Sequence, residues 1–320
     1  MAAGGYLEFE KPILELEKKI REMKEFSAGG GVELSSEIVS LERKLEKLQT
    51  DIFSKLSRWQ RVQLARHPKR PYTLDYIGHI FTDFVELHGD RGFADDKAVV
   101  CGFGKLDGRK VCIVGQQKGR DTKAKLERNF GMMHPEGYRK ALRIMRTAAR
   151  FDRPIIIFID TPGAYPGVGA EERGQAEAIA RNILEMFNLP VPIVLIIIGE
   201  GASGGALGIG IGDKILMLEN SWYSVISPEG CAAILWRDNA KAPDAAEALK
   251  LSATDLLELK VIDKILPEPS GGAHRNHSLV ASVVKAELAA AIEELSDLPR
   301  EELLRRRLDK FRAIGVYDEI

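Results

Sequence analysis

Apolar residues at spacings of three and four open the chain: Ile13, Leu16, Ile20 and Met23, then, after Ser27-Ala-Gly-Gly-Gly31, Leu34, Ile38, Leu41, Leu45, Leu48 and Ile52. This heptad spacing, with Glu42, Arg43, Lys44, Glu46 and Lys47 between, predicts a helical hairpin or short coiled coil. The narrow seam points to a contact role; two amphipathic helices packed on the main body are the plainer alternative. Breaks at His67-Pro68 and Arg70-Pro71 close this arm, so the chain divides into an arm over 1–66, a central domain over 67–276 and C-terminal helices over 277–320.

Beyond residue 72 the period changes. Ile77, Ile80, Phe84 and Leu87 share one helical face, which predicts a helix over 74–87 with Gly89 near its C-cap. Two β-rich segments, 98–103 and 110–115, flank the turn Asp107-Gly108. A charged segment, 116–134, precedes Pro135, which suits the first position of a helix with Tyr138, Leu142, Met145 and Ala149 inward. Strand 154–159, loop 160–169 and helix 171–187 follow, then strand 191–198, loop 199–205 and a small-residue helix through Gly212. Strand 214–218 leads to 222–226 and a helix from Pro228; after the linker 267–277, helices 279–295 and 301–314 close the chain. Near-continuous apolar strands alternating with helices predict an α/β fold whose sheet is covered on both faces.

Composition narrows the function classes. The 320 residues are 45% hydrophobic and 29% charged, and 46 basic against 47 acidic residues leave a formal charge of −1. Without a basic excess there is no footprint for nucleic acid, and Arg305-Arg306-Arg307 reads as the solvated face of a helix. No signal-peptide-like stretch opens the sequence, and the longest apolar run, 191–198, contains Pro192 and is too short for a bilayer. Cys101, Cys112 and Cys231 form no CxxC pair, so they read as reduced core thiols, and no metal site is expected on this chain. A cytoplasmic location follows.

The densest chemical signal is the run from Gly199 to Gly212, in which seven of fourteen residues are glycine. Close packing of a helix accounts for Gly208, Gly210 and Gly212. For Gly204 and Gly205 the better reading is a helix start whose N–H groups approach an oxyanion with no side chain between. The same run spells Gly201-Ala-Ser203-Gly-Gly205, the nucleophile-elbow pattern, with Asp263 and His274 or His277 downstream as formal triad partners. That pattern is short, and so much glycine satisfies it by chance; Ser203 reads instead as a small residue that lets the turn close. A second loop, Asp160-Thr-Pro-Gly163-Ala164-Tyr-Pro-Gly-Val-Gly169, also ends a strand, where α/β sheets bind ligands. Gly163 would let the backbone approach a substrate carbonyl; a rigid connection is the alternative. No GxxxxGK[ST] loop exists, which argues against ATP chemistry by this chain. His134 is the histidine nearest these loops.

Together these residues resemble the alpha subunit of bacterial and plastid acetyl-CoA carboxyltransferase. The resemblance runs in order along nearly the whole chain: GQQKGRDTK from Gly115, RNFGMMHPEGYRKALR from Arg128, FIDTPGAYPGVGAEERGQAEAIARN from Phe158, IGEGASGGALGIGIGD from Ile198, SVISPEGCAAILW from Ser224, LKVIDKILPEP from Leu259 and GGAHRN from Gly271. The family often has a His-Gln pair where this chain has Gln116-Gln117. The resemblance implies a crotonase-like β-β-α superhelix with an N-terminal helical hairpin and C-terminal helices. It implies a beta subunit of similar fold, paired as α2β2, which carries a zinc ribbon and most of the acetyl-CoA site. Carboxybiotin would arrive on a biotin carboxyl carrier protein loaded by an ATP-using biotin carboxylase, and its carboxyl group would pass to acetyl-CoA to give malonyl-CoA for fatty acid synthesis. By resemblance, Gly204 and Gly205 hold the biotin-side oxyanion, and Gly163, Ala164, Gly201 and Ser203 line the same pocket. The alternatives are a crotonase-type hydratase or isomerase needing a placed carboxylate base, a serine hydrolase using Ser203, and a non-enzymatic scaffold.

Overall fold

The computed structural model describes residues 6–28 and 35–315. Leu34 and the Gly29–Gly31 break therefore lie outside the described residues.

Helices α1 (Lys11–Ala28) and α2 (Ser35–Phe53) form the expected antiparallel pair, joined by Lys24 to Glu42 at 2.6 Å. Their apolar seam is unequally covered: Ile13 and Ile20 are buried, whereas no residue of α2 is. Next comes α3 (Arg58–Ala65), a helix the periodicity did not announce; its Ser57 cap accepts from the Gln60 N–H while Gln60 reaches back to the Ser57 N–H. Helix α4 (Thr73–Ile80) is shorter than the 74–87 expected, because the chain turns extended at Phe81 and enters strand β1 (Thr82–Glu86). A bulge between Thr82 and Val85 disturbs the strand alternation, so Phe84 and Leu87 mimicked helical spacing.

Strands β2 (Val99–Leu106) and β3 (Arg109–Gln116) make the hairpin over Asp107-Gly108. The short helix α5 (Thr122–Glu127) and the long α6 (Pro135–Arg150) follow, the latter opened by Pro135 as anticipated. Strand β4 (Ile155–Thr161) leads to α7 (Val168–Glu172) and α8 (Gln175–Met186), one expected helix split at Gly174, whose φ of +81° suits glycine. Strand β5 (Ile193–Ala202) runs four residues past its expected end, because Glu200–Ala202 pairs in parallel with β7 (Trp222–Ser224). Helix α9 (Ser203–Leu207) is correspondingly brief; Gly208, Gly210 and Gly212 lie beyond it, and a Cβ at Gly208 would sit 2.6 Å from the Tyr138 ring. Close packing is thus their role, though not within a helix. Strand β6 (Lys214–Leu218), helices α10 (Pro228–Trp236), α11 (Ala242–Leu249) and α12 (Ala253–Glu258), and strand β8 (Lys264–Leu266) complete the domain. Helices α13 (His277–Ser296) and α14 (Arg300–Arg312) close the chain.

The sheet order is β1-β2-β3-β4-β5-β6-β8, antiparallel through β3 and parallel from there, with β7 paired to β5. Side-chain alternation splits the core in two. Val114, Ile157, Leu195 and Ile215 face α6 and α8, whereas Ile113, Ile156, Val194 and Leu216 face α4 and α13. Each face being covered explains the unbroken apolar strands. This is the crotonase-like arrangement. All three cysteines are buried and unpaired. One expectation fails outright: Arg307 is not solvated but buried, its guanidinium bonded to the Asp213 carboxylate and to the carbonyls of Met186, Leu189 and Val191, each at 2.7–2.9 Å. Among the described residues no helix is long and apolar enough to cross a membrane.

Candidate functional site

Adjacent parallel strands β4 and β5 bring both glycine loops to one end of the sheet. Their register runs evenly to Ile159 opposite Ile197, then shifts so that Thr161 faces Gly201. Two extra residues of β5 are accommodated at Gly199-Glu200, and Asp160 fills the space: a Cβ on Gly199 would lie 2.5 Å from its Oδ1, which instead accepts the Glu200 N–H at 3.0 Å. The loops then meet backbone to backbone. A Cβ on Gly205 would stand 2.2 Å from the Gly163 carbonyl carbon and 2.6 Å from the Ala164 nitrogen, distances no side chain tolerates. A Cβ on Gly163 would meet nothing within 4 Å, although the residue is buried and its carbonyl accepts the Thr161 hydroxyl at 2.8 Å. Gly204 lies at the start of α9 beside Ile179, and Gly201 packs against the Tyr223 ring. The first N–H groups of α9 have no intrahelical acceptor. Gly163, Ala164, Gly201, Ser203, Gly204 and Gly205 are thus gathered at one place.

Beneath the loops lies a charged cluster that sequence reasoning missed. The Lys118 Nζ is 2.6 Å from both Asp160 Oδ1 and Glu200 Oε2, and Arg66 Nε is 2.6 Å from Glu200 Oε1 while its other nitrogens hold Glu229. Burial, with the Glu200 charge adding to it, pushes the Asp160 carboxyl up. Burial pushes Glu200 the same way, but Lys118 and Arg66 outweigh it and hold Glu200 below the usual carboxylate range. The Lys118 ammonium is raised despite burial, since Asp160 and Glu200 both favour its charge. Both acids are therefore locked in ion pairs at the loop bases, an arrangement suited to holding the loops and not to taking a proton from a substrate. A cavity of about 170 Å³ adjoins the cluster, lined by Arg66, Tyr72, Lys118, Phe130 and Glu200 among others. The sequence sign was a single acid within two residues of the end of each expected buried strand, Asp160 after 154–159 and Glu200 after 191–198.

His134 stacks on Tyr165 with ring centres 4.0 Å apart and contacts the Asn129 amide at 2.8 Å. It braces the loop after β4.

Ser203 has a φ of +54° and is exposed at the head of α9, as a nucleophile elbow would require. Its formal triad partners are elsewhere. Asp263 accepts the Ile215 N–H near the start of β6, the opposite end of the parallel strands, and also holds Lys310. His277 Nε2 is 2.7 Å from the Lys69 carbonyl, and His274 is 3.3 Å from Glu10 and stacked on His67. Asp263, His274 and His277 are all engaged elsewhere, so the triad reading falls. Glu10, His67 and His274 do place potential ligand atoms within 4.8 Å of one another. The two imidazoles, however, lie with centres 3.9 Å apart and planes only 26° apart. In-plane lone pairs on such rings do not converge on one ion at the ~2.0–2.1 Å that zinc needs.

Similar folds occur in enzymes acting on acyl-CoA and related carboxylates. Transcarboxylase 12S, solved with methylmalonyl-coenzyme A and methylmalonic acid bound, superposes with a TM-score of 0.57 at 19% identity, over 70% of this chain and 41% of its own. A Pseudomonas malonate decarboxylase hetero-tetramer in complex with coenzyme A gives 0.55 at 18% identity, over 67% of this chain and 85% of that one. The fold is therefore the crotonase-like one that these enzymes share. Sequence resolves it further. The family described as acetyl co-enzyme A carboxylase carboxyltransferase-like matches residues 6–315. The acetyl-coenzyme A carboxylase carboxyl transferase subunit alpha of Geobacter metallireducens is 61% identical over 319 residues, covering 100% of both chains, and that of Bacillus cytotoxicus is 58% identical, covering 97% and 95%. This chain belongs to the acetyl-CoA carboxylase carboxyltransferase alpha-subunit family.

Proposed function

We propose that this chain supplies the biotin-side half of a carboxyltransferase active site, completed by a beta subunit, and that the assembled enzyme forms malonyl-CoA from carboxybiotin and acetyl-CoA. The observation that carries the reading is the contact of Gly205 with the Gly163-Ala164 backbone. It brings two stretches of main chain together with no side chain between them. Carboxybiotin, presented by a carrier protein after ATP-dependent loading on a biotin carboxylase, supplies the activated carboxyl group when bound. The N–H groups of Gly204 and Gly205 hold the ureido oxygen, where negative charge develops as CO2 leaves. Preorganised donors of this kind are the largest single source of rate in many acyl-transfer sites. Gly163, Ala164, Gly201 and Ser203 shape the pocket wall. The two carboxylates at the loop bases, Asp160 and Glu200, are held by Lys118 and Arg66, which disfavours their use as a hydratase base and fits a mechanism in which the acetyl proton is not taken by this chain. Zinc and most of the acetyl-CoA contacts are assigned to the beta subunit, the assembly to α2β2, and the setting to the cytoplasm.

Among the described residues one of the two required oxyanion pockets is proposed, so the purified chain alone is inactive. Biotin-dependent decarboxylation of malonyl-CoA appears only after the beta chain is added; robust turnover by this chain alone would overturn the assignment.

The arm, residues 1–66, is proposed as the contact element for a partner or symmetry mate, since the α2 seam stays half-covered. Arg66 and Arg58 are already bound to Glu200 and Asp255, so the informative truncation removes residues 1–53 only. It weakens assembly while the remaining domain stays folded. Sedimentation of the truncated complex decides, and a coefficient altered only by the lost mass would leave the arm without that role.

A further inference from the structure

Gln116 lies at the end of β3, fully buried, and the mechanism above makes no use of it. Its backbone is fixed by pairing with Val99 across the hairpin and by the Thr73 hydroxyl, which donates to its carbonyl at 2.6 Å. From this third strand the side chain reaches both glycine loops. Nε2 donates to the Gly205 carbonyl at 2.7 Å, and Oε1 accepts the Asp160 N–H at 3.1 Å. The amide orientation is unambiguous, since a carbonyl can only accept and a peptide N–H can only donate. Within α9 the natural donor to Gly205 would be the Ile209 N–H, but that group bonds Ala206 at 3.2 Å, leaving the Gly205 carbonyl to Gln116.

We propose that Gln116 is a positioning residue for carboxyl transfer, one side chain that sets the spacing between the loop after β4 and the peptide plane beside the Gly205 donor. This rests on the oxyanion reading of Gly204 and Gly205. The role needs a donor and an acceptor on one rigid group at about this reach. Glutamine has both, and so does neutral histidine through its two ring nitrogens. Glutamate offers acceptors only and would confront the Gly205 carbonyl with negative charge, while leucine offers neither. Histidine at this position would be an alternative solution to the same geometric demand.

The test uses the complex with the beta chain and measures malonyl-CoA decarboxylation with free biotin at pH 8, where histidine is neutral. Gln116→Leu and the isosteric Gln116→Glu lower kcat by about 30- to 100-fold, the range expected when reacting groups are misplaced by about an ångström. The KM for malonyl-CoA, bound mainly by the other subunit, stays within about threefold. Gln116→His retains kcat within about fivefold of the parent. Size-exclusion chromatography confirms assembly, and if the leucine variant fails to assemble, the glutamate–histidine contrast carries the same comparison. Equal activity of glutamate and histidine variants in assembled complexes, whether both near the parent or both impaired, overturns the proposal. Gly205→Val, assayed in parallel, separates the two claims. If it is active the oxyanion reading fails, whereas if it is inactive while every Gln116 variant turns over normally, only the positioning role fails.

Discussion

Gly205→Val lowers turnover of the assembled enzyme by about a hundredfold or more, whereas Ser203→Ala leaves it within about tenfold. The two positions are neighbours on α9 yet differ in what surrounds them. The Gly205 Cβ direction is occupied by the carbonyl carbon and oxygen of Gly163 at 2.2 and 2.5 Å, so any side chain there forces the loops apart and moves the donors. Ser203 is exposed and no histidine approaches it, so loss of its hydroxyl removes no covalent route. Alanine at its φ of +54° bears the same left-handed backbone cost that serine already bears. Steady-state assays of both variants, after sedimentation confirms assembly, check the pair. An inactive serine variant beside an active glycine variant would restore the hydrolase reading and remove the oxyanion one.

Lys118→Met destabilises the chain by about 3–5 kcal/mol, the usual consequence of removing one member of a buried ionic group. The methionine fills the volume but leaves Asp160 and Glu200 facing each other, with Arg66 touching only the second. Protonation of Asp160 relieves part of the repulsion, because its carboxyl is already displaced upward. Adding Asp160→Asn to Lys118→Met therefore recovers part of the loss. Denaturant unfolding of the parent, single and double variants measures both effects. A single-variant loss under about 1 kcal/mol would show that the ammonium is not what holds the loop bases together.

The central strands and the covering of the sheet on both faces were legible because buried strands write their burial into the sequence: 154–159 and 191–198 are apolar at every position, apart from two prolines. What escaped was local competition. Phe84 and Leu87 kept a helical beat across a bulged edge strand. Gly199 and Gly201, which read as loop, belong to the last residues of β5, whose Glu200–Ala202 pairs with Trp222–Ser224 further along the chain. Arg307 looked like one of three surface arginines until the carbonyls at the end of α8 were brought to it by the fold. At the site, the glycines were visible because their density has no cheap structural cause. Lys118, Asp160, Glu200 and Gln116 were not, because each is an ordinary residue whose meaning comes from partners about forty residues or more away. Periodicity reports which way a residue faces, and it carries nothing about which distant residue it meets.

A half-site whose proposed working groups are main-chain amides offers little for a reactive drug to capture. The thiols of Cys101, Cys112 and Cys231 are all buried, and burial pushes the Cys101 thiol up to about 12, far from the thiolate that electrophiles seek. Ser203 has an accessible hydroxyl but no base, and the Lys118 amine is kept protonated by its two carboxylates. Warheads aimed at serine, cysteine or lysine therefore find no activated target among these residues. Inhibition here has to come from shape: a planar acceptor presented to the Gly204-Gly205 peptides, with selectivity taken from the walls around them.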